Sequence, residues 1–288
     1  MEESILSRRS YAEFYLFLAT FVWGGTFLVV KKGLLDVSPL LLVALRFSIA
    51  SILLLLISPR CALNANRQTL FQSARLGLFL FLGFAAQTIG LVYTTPSRSA
   101  FITGTMVIFT PIFQAIFDKE SLKRATIIGI CVIMVGLWLL TSPRGEGLNR
   151  GDILTLLCAM LFGWYTIDLS RVTSSADMIG QITFLQMAAT ALFAWISLPM
   201  IETPFIRWTP AACGALAYTA IPATLITTAL QTRFQRDTSP TRAAVIFTME
   251  PVWASALSSL VLGERLGLTE LAGGGLIVFG ILFSEFQR

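Results

Sequence analysis

The chain has 288 residues, 55% of them hydrophobic and 13% charged, with a mean hydropathy of +0.76. Charged residues are about half as frequent as the roughly 25% of soluble domains, and the apolar runs leave no room between them for a soluble domain, so the composition indicates a polytopic membrane protein. The net charge of +5 rests on basic residues scattered singly over short loops, which argues against a nucleic-acid partner. With no histidine, and with Cys61, Cys131, Cys158 and Cys213 far apart, a zinc or iron site, a disulfide framework and a resident cofactor are not expected.

In chain order, the first apolar run follows Arg8-Arg9-Ser10-Tyr11, which loosely resembles a twin-arginine export signal. It continues to Val30 without a cleavage site of small residues and is read as a membrane span. The ten predicted spans are about 13–31, 39–58, 74–94, 100–118, 124–141, 152–170, 178–198, 210–231, 242–262 and 268–284. In lipid every backbone donor and acceptor must be paired within its own segment, so spans of this length are helices. Turn signals fall between them at Ser38-Pro39, Ser58-Pro59, Thr95-Pro96, Ser142-Pro143, Thr203-Pro204, Thr209-Pro210 and Ser239-Pro240. With the N-terminus in the cytoplasm, thirteen Lys and Arg fall on inside segments and seven on outside ends, leaving Arg46 within a span. Both termini are therefore expected to be cytoplasmic, with the chain crossing the inner or plasma membrane ten times.

The chain also repeats itself. Residues 99–136 and 239–280 share a Ser twelve positions before a Pro (Ser99/Pro111, Ser239/Pro251), and a Glu-x-Leu (Glu120, Glu264) follows the Pro in each. Both then place Gly nine and sixteen positions after that Glu (Gly129 and Gly136, Gly273 and Gly280). The spacing from Pro to Glu is shorter by four in the first copy, as if one helical turn were missing there. Extending an offset of 140 backward sets Trp23-Gly24 on Gly163-Trp164, and Lys31 on Arg171. The chain therefore divides into two five-helix halves, 1–144 and 145–288. Because five is odd, the second half begins on the opposite side of the membrane, which makes the halves an inverted repeat of the kind that builds secondary transporters.

Two five-helix halves, Trp23-Gly24 with Phe27 and Lys31, Leu45-Arg46-Phe47, Glu250-Pro251-Val252 and the run Leu262 to Leu266 together resemble the EamA-type branch of the drug/metabolite transporter superfamily. The resemblance covers nearly the whole chain through short motifs. It departs where Asp118-Lys119-Glu120 replaces a longer Leu-Leu-Gly-Glu run, which leaves the length of span four open. It implies a ten-helix bundle with a central cavity, often an exporter of amino acids or related small metabolites that works without ATP.

Several residues are candidates for the transport path. Arg46 lies about 10 Å below the outer end of span two at ~1.5 Å per residue, and an intramembrane Arg marks a functional site unless it is paired, for instance with Asp36, or snorkels. Lys31, nearer a span end, reads as snorkelling. Trp23 and Trp164 lie mid-span, where an interfacial role fails, and beside glycines that leave room, so they line a cavity or pack between helices. Asp168, one turn beyond Trp164, could bind a substrate amine or pair with Arg171. Polar groups at membrane depth cluster in spans three, four and eight (Gln87, Thr88, Thr103, Thr105, Thr110, Gln114, Thr227, Thr228, Gln231), with Gln186 in span seven; among them Gln87 and Thr105 are taken as substrate contacts.

Pro111 and Pro251 each remove a backbone bond mid-helix and are candidate kinks or hinges. The paired glycines of spans five and ten read as close packing or a homodimer contact. Glu250 lies near mid-membrane beside Pro251, where a charged carboxylate must be protonated, paired or wet. Its apparent repeat counterpart is neutral Thr110, so it should serve a one-sided task such as carrying a coupling proton or binding a substrate ammonium; closing the gap left by Pro251 is the structural alternative.

Other function classes compare poorly. An intramembrane enzyme lacks a Ser-His pair or paired Asp motifs, and an ATP-driven pump lacks a phosphate-binding loop. An uncoupled facilitator, channel or lipid scramblase remains the alternative, because an inverted repeat constrains symmetry and not coupling. The expected partners are the bilayer, a small-molecule substrate and protons.

Overall fold

The computed structural model describes residues 2–62, 65–119, 123–141, 148–174, 179–262 and 267–286. Its helices are α1 (Glu2–Gly33), α2 (Pro39–Ile57), α3 (Arg67–Tyr93), α4 (Pro96–Gly104), α5 (Met106–Phe117), α6 (Arg124–Thr141), α7 (Arg150–Ser174), α8 (Ile179–Ile201), α9 (Pro210–Ala220), α10 (Thr227–Phe234), α11 (Pro240–Phe247), α12 (Met249–Leu262) and α13 (Leu268–Phe286). Three pairs run end to end as single passes: α4–α5 across Thr105, α9–α10 through a π-helical segment (Ile221–Ile226), and α11–α12 across Thr248. The result is a ten-pass helical membrane fold. Among the described residues, seven passes are long and apolar enough to span a bilayer by themselves. The expected division at residues 144 and 145, and the Glu-x-Leu signals at Glu120 and Glu264, lie outside the described residues.

Four helices, α2, α4, α9 and α11, start where the sequence offers a Ser or Thr before Pro. Thr95, Thr209 and Ser239 each accept a hydrogen bond from the backbone N–H three residues on, with Pro at the first helical position, where its missing N–H costs nothing. These turn signals are therefore helix caps. Sidedness is inverted relative to a soluble protein: Leu56, Trp138 and Ile196 are exposed, whereas Thr155, Thr166, Gln186 and Thr190 are fully buried. Buried hydroxyls in lipid must find partners, and these threonines donate to the carbonyl four residues back in their own helices.

Packing between the halves is symmetric under exchange. α3 packs on α7 as α9 and α10 pack on α1, α3 on α8 as the π segment and α9 pack on α2, and α5 on α7 as α12 packs on α1, while α2 with α8 and α6 with α13 pair with their own counterparts. At the α6–α13 seam, Gly129 meets Gly280 while Gly136 meets Gly273. Equivalent residues thus cross head to tail, as a two-fold axis in the membrane plane requires; an axis along the membrane normal would set Gly129 beside Gly273. These glycines are used within one chain, so the homodimer reading does not describe them.

The atomic contacts also correct the repeat register. A Cβ on Gly24 would lie 2.6 Å from Trp253 Cβ and 2.9 Å from Ala254 N; on Gly163 the same contacts are Phe109 Cβ at 3.2 Å and Thr110 N at 3.3 Å. Gly24 therefore corresponds to Gly163, and Trp253 to Phe109. The caps Thr95 and Ser239 and the glycines Gly129 and Gly273 agree with the second pairing. Ser99, aligned with Ser239 by sequence, is instead buried one turn inside its helix without a hydrogen-bond partner. The broken passes 96–117 and 240–262 have nearly equal length, so no turn is missing from the first copy; Pro111 simply sits one turn deeper than Pro251.

Candidate functional site

A cavity with about 50 Å³ open to water, room for about three or four molecules, lies at the centre of the bundle. Its walls come from α1, α2, α3, α7, α10 and the two broken passes. Of the residues expected to contact substrate, the structure brings Trp23, Arg46, Gln87 and Glu250 together here. Thr26, Phe84, Thr103, Met106, Phe162, Tyr165, Thr166, Thr228, Gln231 and Phe247 complete most of the lining.

Arg46 is 2% exposed and has no carboxylate partner among the described residues. Its Nε donates to Thr224 Oγ1 at 2.8 Å and its Nη2 to the Ala223 carbonyl at 3.2 Å, while the guanidinium lies 4.6 Å from the centroid of the Phe84 ring. Both oxygens belong to the π segment beside Pro222, where the helix ladder is rearranged and can spare an acceptor. The expected pairing with Asp36 does not occur, because Asp36 accepts from the Thr209 hydroxyl at 2.6 Å in the connection after α1. Gln186 of α8 lies outside the cavity lining, where it accepts from Tyr165 and donates to Thr232.

Glu250 faces Arg46 across the same cavity from the first turn of α12. Among the described residues it has neither a hydrogen-bond nor an ion-pair partner. In the corrected register its counterpart is Met106, which also lines the cavity, and not Thr110, whose hydroxyl is spent on the Met106 carbonyl at 2.9 Å. One charged residue from each half thus enters the cavity, and the counterpart of Glu250 is neutral.

The two aromatics separate. Trp23 donates Nε1–H to Thr227 at 3.0 Å, meets Phe247 edge-on at 5.2 Å and presents its ring to the cavity. Trp164 does not line the cavity: it packs edge-on against Phe117 at 4.6 Å and Phe113 at 6.0 Å under the Arg171 guanidinium. With Gly24 on Gly163, the counterpart of Trp23 is Phe162, and Trp164 lies two residues, about 200° of helix, further round.

Asp168 is also outside the cavity. It is buried and binds Arg75 of α3 through both oxygens, not Arg171, whose partner is Asp118. Thr105 is spent locally, its hydroxyl donating to the Ile102 carbonyl at 2.5 Å; Thr248 does the same to Val245 at 2.6 Å. These two threonines mark the helix breaks, three to six residues before the prolines expected to act as hinges. A Pro ring crowds the carbonyl four residues earlier, Val107 or Phe247, so the ladder yields on that side of it. Gln87 donates to Thr103 at 3.2 Å, holding the α4 wall to α3.

A buried, polar and aromatic cavity at the centre of an inverted ten-helix repeat defines a membrane transporter. The chain belongs to the EamA-like transporter family, whose pattern it matches twice, over residues 10–142 and 149–286. It is 32% identical to an uncharacterised transporter of Archaeoglobus fulgidus, over 97% of this chain and 87% of that one. It is 27% identical to the uncharacterised inner membrane transporter YedA of Escherichia coli, over 93% and 88%. A crystal structure sharing 18% identity superposes with a TM-score of 0.80 over 96% of each chain, a likeness of fold alone.

Proposed function

We propose that the protein is a secondary active transporter, with both termini in the cytoplasm, that exports small zwitterionic metabolites such as amino acids by alternating access. The observation that carries this reading is the placement of Arg46 and Glu250 in one cavity without an ion pair between them. Two opposite charges held apart in a low-dielectric site suit a solute bearing both charges, its carboxylate meeting the guanidinium and its ammonium the carboxylate. Trp23, Phe84, Phe162 and Phe247 offer an apolar surface for the rest of the solute. The small cavity volume supports a closed resting state that must widen on loading.

Counterflow in proteoliposomes tests the reading. A panel of amino acids and their decarboxylated amines should give saturable, stereoselective exchange that favours the zwitterions by about tenfold or more. Flux that does not saturate, or lipid flipping without solute exchange, would assign the protein to the channel or scramblase class.

A further inference from the structure

On opposite faces of the bundle the two halves build the same three-residue cluster. On the face away from the termini, Asp152 in the first turn of α7 accepts from the Thr94 hydroxyl at 2.7 Å, from Arg98 Nε at 3.3 Å and from Arg98 Nη2. On the termini face, Glu13 of α1 accepts from the Thr238 hydroxyl at 3.3 Å and from Arg242 Nη1 at 3.3 Å. In the corrected register, Glu13 corresponds to Asp152, Thr238 to Thr94 and Arg242 to Arg98. Each cluster ties the N-terminal end of a broken pass, α4 or α11, to a helix that carries an aromatic cavity wall, at the first turn of α7 or about three turns into α1.

The clusters are equal in composition but not in tightness. Asp152 is fully buried, uses both oxygens and also accepts the Asn149 backbone N–H at 3.1 Å. Glu13 is 18% exposed, and the contacts it makes with Thr238, Arg242 and Arg9 all fall on one oxygen. In an inverted repeat, exchanging the conformations of the halves converts one open state into the other, so a contact that is tight on one face and loose on its mirror image is what distinguishes the two states.

We infer that Thr94–Asp152–Arg98 and Thr238–Glu13–Arg242 are the two latches of the transport cycle, tightening alternately, and that this structure is locked on the face away from the termini. The inference rests on the transporter reading and deepens it, assigning gating to residues outside the cavity.

The test reads cavity exposure without substrate. Thr26→Cys, placed in the cavity wall with the four native cysteines replaced, is labelled by a membrane-impermeant maleimide from either side in intact cells and everted vesicles. Asp152→Asn should raise labelling from the face away from the termini about tenfold, or about 1.4 kcal/mol, and lower it from the termini face. Glu13→Gln, removing a wetter contact, should shift labelling the other way by about two- to threefold. Arg98→Gln with Asp152→Asn leaves no unpaired buried charge and should act as Asp152→Asn does, covering the case in which the single variant does not fold. Shifts in the same direction for both latches, or no shift in the double variant, would overturn the inference. Opposite shifts in a protein that exchanges no zwitterion would instead overturn the substrate reading and leave the latches standing.

Discussion

Along the α6–α13 seam every close contact has its mirror image: Gly129 on Gly280 and Gly136 on Gly273, with Ile133 and Ile277 buried between them. In the cavity that symmetry fails, where Glu250 stands against Met106 and Arg46 enters from the first half. In the proposed cycle the seam serves both states of an exchanging pair, and its contacts look the same after the exchange. The cavity in that cycle binds and releases one solute, and charges fixed in one half each would give it an orientation that symmetry cannot supply. Scaffold and chemistry are therefore separable by substitution.

The largest effect is expected at the seam. A Cβ on Gly273 would lie 2.3 Å from Leu140 N and 2.6 Å from Gly136 O, both backbone atoms that cannot turn aside. Gly273→Leu should destabilise by about 3 kcal/mol or more, measured as a lower thermal midpoint in detergent or as loss of folded protein. Near-normal stability would show that the helices slide apart readily and that the seam is not a fixed element.

Next comes Arg46→Gln, which keeps a polar side chain on α2 and removes the charge. Losing charge-assisted hydrogen bonds costs about 1.5–3 kcal/mol, so the KM for an amino acid should rise by tenfold or more, and the preference over the matching amine should disappear. If KM rises equally for both solutes, Arg46 holds the π segment in place and does not read a carboxylate.

The smallest effects sharpen the comparison between the two tryptophans. Trp23→Ala should change transport or substrate preference by several-fold with nearly normal expression. Trp164→Ala should leave substrate preference at wild type and lower thermal stability instead, since its ring is enclosed by Phe117, Phe113 and Arg171. Equal kinetic changes in both would reinstate the equivalence that the sequence offset of 140 suggested.

Much of this fold was legible because lipid leaves few options. Ten apolar runs, an odd half and Ser/Thr-Pro caps point to one architecture, and Arg46, Gln87 and Glu250 stand out because polar groups are costly at that depth. What was not legible turns on one-residue differences in register. In a helix one position is about 100° of rotation, so an offset of 140 in place of 139 set Trp23 on Gly163, next to Trp164, and hid its true counterpart Phe162. The same offset made Thr110 the counterpart of Glu250 and Pro111 that of Pro251, because the prolines lie a turn apart in helices of equal length. The π segment that holds Arg46 had only Pro222 to announce it. Pairings such as Arg75 with Asp168 join helices far apart in the chain, and periodicity does not reveal them.

On the zwitterion reading, the carboxylate of Glu250, which has no hydrogen-bond or ion-pair partner among the described residues, takes up the coupling proton when the solute's ammonium leaves it. Glu250→Gln keeps the shape and cannot titrate. In proteoliposomes the wild type should respond to an imposed pH gradient with up to about tenfold more solute accumulation per pH unit for one coupled proton. The variant should lose that response and should exchange zwitterions with a KM raised by about tenfold or more, because Gln cannot meet the ammonium with a charge. A folded Glu250→Gln protein that still follows the gradient as the wild type does would contradict the claim.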